Sequence, residues 1–462
     1  MKTVFVFLFI ILACCSCKKE RFITSPDASL GISLDTLSFD TVFTQVGSVT
    51  QSFKLFNNND QKLRLSQVKL SGGSASPFKI NINGTSSTEV DNIEINANDS
   101  IYIFVQVNVN PTLASTPFIL SDSIQIGYNG NKRWVQLVAY GQNAVFLKNT
   151  LLTGNVTWNN TLPYVILGGI QVDTTATLNI SSGAKVFLHA DAPFLVDGTL
   201  ITHGTKDEPV VFSGDRLDAD YKDLPASWPG IFFRNTSENN SLRHTIIKNA
   251  YQGIIAQGVS TTINPKVNLS QCIIDNIYDA GILGINTTIH SDNSLISNCG
   301  SNIQIEYGGD YRFINCTVAS YGNTYFIHKS PVLQVSNSIS QNGNTYSASL
   351  TAHFQNCIFW GDGGTVADEI ALAKQGTDPF LITFDRVLYK AKNDISNATF
   401  MSSIKNETPM FDSVNASKNI YDFHFNNNPK SPALNAGVAT PFLYDLDDKL
   451  RDGMPDIGCY ER

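Results

Sequence analysis

Charge is scarce in this chain of 462 residues: Asp, Glu, Lys and Arg make up 16%, against about 25% in an average soluble domain. The net charge is −8 and no basic stretch occurs, which excludes a nucleic-acid-binding role built on a cationic surface. Long apolar runs are missing too. Beyond the first twenty residues no stretch approaches the roughly 20 apolar residues that a membrane-spanning helix needs. Cysteine is sparse past the N-terminal segment, where Cys272, Cys299, Cys316, Cys357 and Cys459 stand without one CxxC pair. That spacing excludes a thiolate zinc site of the usual kind. From about Leu242 to Tyr389 a helical period is absent as well, so alternating strands and helices are excluded there.

What fills that stretch is a recurring phrase. Its clearest copies are Phe313-Ile314-Asn315-Cys316-Thr317-Val318 and Phe354-Gln355-Asn356-Cys357-Ile358-Phe359. Weaker copies centre on Thr245, Cys272, Ser294, Ser338 and Val387. A step of about 20–30 residues is a solenoid period. A second short apolar strand follows each copy, as in Gly253-Ile254-Ile255 and Gly281-Ile282-Leu283. Two or three short strands per turn predict a parallel β-helix. The third position of the phrase is Asn293, Asn315, Asn337 and Asn356 in four copies. Asn tolerates left-handed turns, and stacked amides bond from rung to rung, so these four read as a structural ladder. Asn249, Asn276 and Asn298 form a second column. Rungs lie about 4.8 Å apart. With Ser294 and Ser338 between them, Cys272, Cys316 and Cys357 stand beyond the roughly 7 Å reach of a disulfide and read as buried small hydrophobes.

The first 17 residues read as an export signal, with Lys2 before an apolar run from Val4 to Ala13. The run ends in Ala13-Cys14-Cys15-Ser16-Cys17, which resembles the lipobox of bacterial lipoproteins. That resemblance implies lipidation at Cys17, with Cys15 as the alternative, and a membrane partner reached through the lipid anchor. It places the protein at the outer membrane of a Gram-negative cell, on the periplasmic or the surface face. Residues 18–27 form a polar tether. Across 28–145, alternating strands such as Ile101–Val109 are separated by turn signals such as Asn83-Gly84 and Asn129-Gly130, which predicts a β-sandwich. This segment resembles bacterial immunoglobulin-like domains.

From 146 to 408 the expectation is a right-handed parallel β-helix of the pectate-lyase-like kind. Phrases such as Phe194-Leu195-Val196-Asp197-Gly198-Thr199 and Ser227-Trp228-Pro229-Gly230-Ile231-Phe232 resemble the opening rungs of β-helix lipoproteins. Residues 409–462 contain Ser431-Pro432-Ala433-Leu434-Asn435-Ala436-Gly437 and Asp456-Ile457-Gly458-Cys459-Tyr460-Glu461, which resemble the closing segment of the choice-of-anchor Q proteins. The fold class is thus all-β throughout.

Chemistry is harder to place. A glycoside hydrolase needs two carboxylates at the scissile bond. Polygalacturonase-type coils supply them in Asn-Thr-Asp and Asp-Asp phrases. No Asn-Thr-Asp occurs here, and Gly308-Gly309-Asp310 and Gly361-Asp362-Gly363 lack a second Asp. Lys248 and Asp275 share a column on adjacent rungs, where an exposed ion pair is the expected use. The densest acidic loop holds Asp215, Asp218, Asp220 and Asp223, with Tyr221 inside it and Trp228 just after it. Its oxygens could take Ca²⁺, although Arg216 and Lys222 oppose a cation. The two aromatics make it the candidate sugar-stacking patch. No cofactor and no catalytic constellation is expected. The leading expectation is a non-catalytic binding or structural module for a polysaccharide or a surface protein. The alternative is a β-helix polysaccharide lyase or glycoside hydrolase, and a cleft holding carboxylates beside Lys or Arg would favour it.

Overall fold

The structure is a computed structural model that describes residues 21–44, 47–111, 117–425 and 430–462. Cys17 lies outside the described residues. The chain divides into two compact units, one ending at Asn143 and one beginning at Ala144. Both are β-structure, and no α-helix occurs among the described residues.

The first unit has two five-stranded sheets. Strand Ser100–Val107 shows how the pattern builds them: Ile101, Ile103, Val105 and Val107 are buried while Tyr102, Phe104 and Gln106 face outward. That period of two places one face of each strand in the core. Strand Asn131–Gln142 does the same with Val135, Leu137 and Ala139. The two inner faces share one apolar cluster. All pairings in these sheets are antiparallel except Thr36–Phe43 against Asn131–Gln142, which run parallel.

The second unit contains a single coiled sheet of 26 strands whose neighbouring rungs pair in parallel, as in a β-helix. Three columns of strands repeat. One column runs through Thr199–His203, Asn240–Arg243, Val267–Ser270 and on to Leu350–Gln355 and Phe380–Asp385. The next runs through Thr245–Lys248, Ile273–Asp275, Leu295–Ser297, Thr317–Ser320 and Ile358–Gly361. The third includes Ile231–Phe233, Ile254–Gln257 and Ile370–Ala373. Inward residues stack along the axis. Phe354 lies 5.5 Å from Phe313 and 5.0 Å from Phe384, and Phe400 continues the stack at 4.5 Å.

The corner between the first two columns is one left-handed residue per rung. His244, Gln271, Asn293, Asn315, Asn356, Arg386 and Ser402 all have φ between 38° and 53°. Asn249, Asn276 and Asn298 hold the same conformation at the next corner. Positive φ is costly for residues with a Cβ, and Asn bears it best. The corner geometry therefore selects Asn, yet tolerates His, Gln and Arg where other contacts fix the side chain.

Asn337 does not belong to this ladder. The rung after Cys316 is that of Cys357, because Thr317 pairs with Ile358. The phrase around Ser338 starts on Leu333–Ser336, a third-column strand paired with Ile303–Ile305, and ends in an antiparallel hairpin of Ser338–Gln341 and Asn344–Ser347. The Asn337 amide instead holds Gln375, donating to its carbonyl at 2.9 Å and accepting from its N–H at 2.8 Å. Cys316 and Cys357 are consequently on adjacent rungs, and both are free thiols.

The segment from 409 runs back along the flank of the coil, against the turn ladder. A hairpin of Phe411–Asn415 and Ile420–Phe425 opens it. After that, tail residues meet the left-handed corners one after another. Arg386 reaches the Ala436 carbonyl, Asn356 exchanges two bonds with the Val438 backbone, and Asn315 donates to Thr440 at 3.1 Å. Gln271 donates to the Asp445 carbonyl at 2.6 Å. Gly458 shows why its motif carries glycine at the third position: its φ is +109°, and a Cβ there would fall 2.7 Å from Thr317 Oγ1.

Candidate functional site

Among the residues that the sequence marked, the acidic loop does not form one site. The Asp215 carboxylate meets His189 Nδ1 at 2.8 Å, and burial, partly offset by His189, holds its pKa above the usual carboxylate range. Asp218 accepts from Arg216 Nε at 2.7 Å and from its Nη2 at 2.9 Å. That guanidinium also sits 3.8 Å over the Tyr221 ring and covers one face of it. Asp220 points to solvent. No group of three or more His, Cys, Asp or Glu able to hold a metal ion occurs among the described residues. Trp228 corrects the sugar-stacking expectation outright. It is fully buried inside the coil, with Nε1 donating to the Lys248 carbonyl at 2.9 Å. A buried indole whose N–H is satisfied is core.

Asp223 is different. It lines a pocket of about 160 Å³ together with Lys248, Asp275, Tyr325 and Tyr421. Lys248 and Asp275 are register partners on adjacent rungs, as the columns predict. They form no ion pair within 4 Å, and both are partly buried rather than freely exposed. Asp275 Oδ1 accepts from Ser297 Oγ at 2.6 Å and from Asn298 Nδ2 at 3.4 Å. Its Oδ2 accepts no hydrogen bond among the described residues. Burial pushes the Asp275 carboxyl up, against the opposing pull of Ser297, Asn298 and Lys248. The wall behind is an amide chain: Asn323 donates to Asn276 at 2.6 Å, Asn276 to Asn249 at 2.8 Å, and Asn249 to the Lys222 carbonyl at 2.7 Å. Asn419 and Tyr421 of the tail hairpin close the pocket.

A wider groove of about 660 Å³ adjoins it and shares Asn323 and Tyr325 with it. Tyr278, Asp279, Gln304, Lys329 and Gln334 line the groove. Tyr278 and Gly300 belong to a column two residues past the second Asn corner, which holds Tyr251, Tyr278 and Gly300 on successive rungs. The two Tyr rings stack at 5.5 Å with 26° between their planes. Both are about half exposed. Gly300 has no ring to continue the stack and could not carry one, because a Cβ would fall 2.3 Å from the Tyr278 carbonyl oxygen. Tyr278 therefore lines the groove half exposed, with Tyr251 as its one stacked ring among the described residues.

No known protein family matches the chain, and no curated protein does either. Among solved structures, a family 123 glycoside hydrolase from Clostridium perfringens is 12% identical over 27% of this chain, with a TM-score of 0.19. This chain spans only 30% of that enzyme. The catalytic unit of a GH87 alpha-1,3-glucanase from Streptomyces thermodiastaticus is 10% identical over 77% of this chain and 88% of its own, with a TM-score of 0.25. The CooA pilin subunit from enterotoxigenic Escherichia coli is 12% identical over 24% of this chain and 96% of its own, with a TM-score of 0.18.

Proposed function

We propose that this chain is a cell-envelope lipoprotein that binds a glycan in the groove beside Tyr278. The observation that carries the reading is the half-exposed Tyr278 ring lining the groove beside Gly300, with amide and charged side chains around it. A pyranose ring presents an apolar face to an aromatic ring and hydroxyls at its edge, and the groove supplies partners for both. In this reading the coil is a right-handed β-helix of the choice-of-anchor Q type. The first unit is an immunoglobulin-like domain between the coil and an outer-membrane anchor at Cys17. The lipobox-like sequence and the tail motifs support that placement.

The test is affinity gel electrophoresis of the mature protein in laminarin, xylan, dextran and polygalacturonate. Retardation by one of them is expected, and Tyr278→Ala should weaken it about tenfold, the range of one aromatic contact. Tyr221→Ala should leave it unchanged, because Arg216 already occupies that ring. Loss of retardation with Tyr221→Ala alone would move the site back to the acidic loop. The enzyme reading is favoured by one observation, the pocket that places Asp223 and Asp275 beside Lys248.

A further inference from the structure

We propose that the Asp223–Lys248–Asp275 pocket is a hydrolytic site that cleaves a glycosidic bond of the polysaccharide held in the adjoining groove. This rests on the glycan-binding reading and adds chemistry to it. Three features of the pocket support it. Asp275 lines the pocket with Oδ1 fixed by Ser297 and with no bond to Oδ2 among the described residues, so the acidic proton has a defined place on Oδ2. Burial pushes the Asp275 carboxyl up, the direction a general acid requires. Asp223 is a second carboxylate in the same pocket, on the exposed side, and its loop is anchored there by Asn276 donating to the Asp223 carbonyl at 2.8 Å.

The groove and the pocket share Asn323 and Tyr325. A chain lying along the groove past Tyr278 therefore has a continuous path into the pocket that Asp275 lines. In the reaction Asp275 gives its Oδ2 proton to the glycosidic oxygen as the bond from that oxygen to the anomeric carbon breaks. A water adds to the anomeric carbon and yields its proton to Asp223. The products are a new reducing end and a free alcohol. Solvent then carries the proton from Asp223 back to Asp275. Lys248 is a positioning residue here: its charge lies beside the Asp275 carboxylate that forms in the step. The titratable groups facing Asp275 are Lys248, Asp223, Tyr325 and Tyr421.

The experiment takes the mature protein and whichever of laminarin, xylan, dextran and polygalacturonate the groove retains, and follows release of reducing ends. Wild-type protein should cleave it. Asp275→Asn should still be retarded in the gel and cleave at least 100-fold more slowly, the usual contribution of a positioned acid. Asp223→Asn should behave likewise. Lys248→Met should move the alkaline limb of the pH profile upward, because Asp275 then keeps its proton to higher pH. A polysaccharide that is retained but not cleaved overturns the hydrolytic site and leaves the binding reading standing. Cleavage that survives Asp275→Asn also overturns it. Neither retention nor cleavage across the four polysaccharides overturns both.

Discussion

Arg451 and Asn293 stand 158 positions apart in the chain, yet the Arg451 guanidinium donates twice to Asn293 Oδ1, through Nε at 3.1 Å and Nη2 at 2.9 Å. The same guanidinium reaches Glu461 Oε2 at 3.1 Å and the Gly458 carbonyl at 2.8 Å. Arg451 thus ties the last residues of the chain to each other and to a left-handed corner of the coil. Both members of the Arg451–Glu461 pair have side chains only about 5% exposed.

Removing Arg451 strands a buried carboxylate, a loss of about 3–5 kcal/mol for a pair of this kind. Arg451→Met should therefore lower the unfolding midpoint and open the tail to protease after residue 408. Adding Glu461→Gln should recover much of the loss, since the uncompensated charge is then gone. A single variant as protease-resistant as wild type would show that the tail does not depend on this clamp.

Beneath the clamp, burial raises the Asp292 carboxyl to about 6, although Ser270 and Asn293 donate to it. A carboxyl raised in the fold favours the protonated form. Its contribution is full below the unfolded value of 3.8 and is lost as pH rises through about 6. The difference corresponds to about 3 kcal/mol at 1.36 kcal/mol per pH unit. Denaturant unfolding at pH 4 and pH 7 should show wild type losing more stability over that interval than Asp292→Asn. Equal losses in the two proteins would contradict the burial of Asp292.

The five cysteines from Cys272 to Cys459 are buried, and burial pushes the Cys272 thiol up to about 12. Thiolate is the reactive form, so protein spanning residues 18–462 should give almost no reaction with a thiol reagent when native and five equivalents once unfolded. Cys316 and Cys357 are the stringent pair, being on adjacent rungs. Fewer than five thiols in unreduced, denatured protein would mean that these two had joined.

The coil was legible because its corners are chemically narrow. Asn249, Asn276, Asn298, Asn293, Asn315 and Asn356 all sit at positive φ, where Asn is the cheapest residue after Gly. The same rule misled at Asn337. Its phrase follows Cys316 at the step seen between the earlier copies, but the chain between Tyr321 and Ser330 has lengthened, and the following strand lands in a different column. The true step from Asn315 to Asn356 is 41 residues.

The tail was legible as a motif and not as a path. Its contacts with Gln271, Asn293, Asn315 and Asn356 are long-range hydrogen bonds that leave no periodic trace. The candidate site was legible only in pieces. The Lys248–Asp275 column showed in the repeat, but Tyr251, Tyr278 and Gly300 align only once the register is known. Trp228 was misplaced because it follows the acidic loop directly and so reads as a surface aromatic beside Asp223, whereas the rung folds it inward.

The most direct test of glycan binding at Tyr278 is hydrogen exchange of the mature protein with and without the polysaccharide that retards it. Protection should concentrate in 276–304 and 321–334, the segments that line the groove. Protection confined to 215–223, or to the unit that ends at Asn143, would contradict the assignment of the groove.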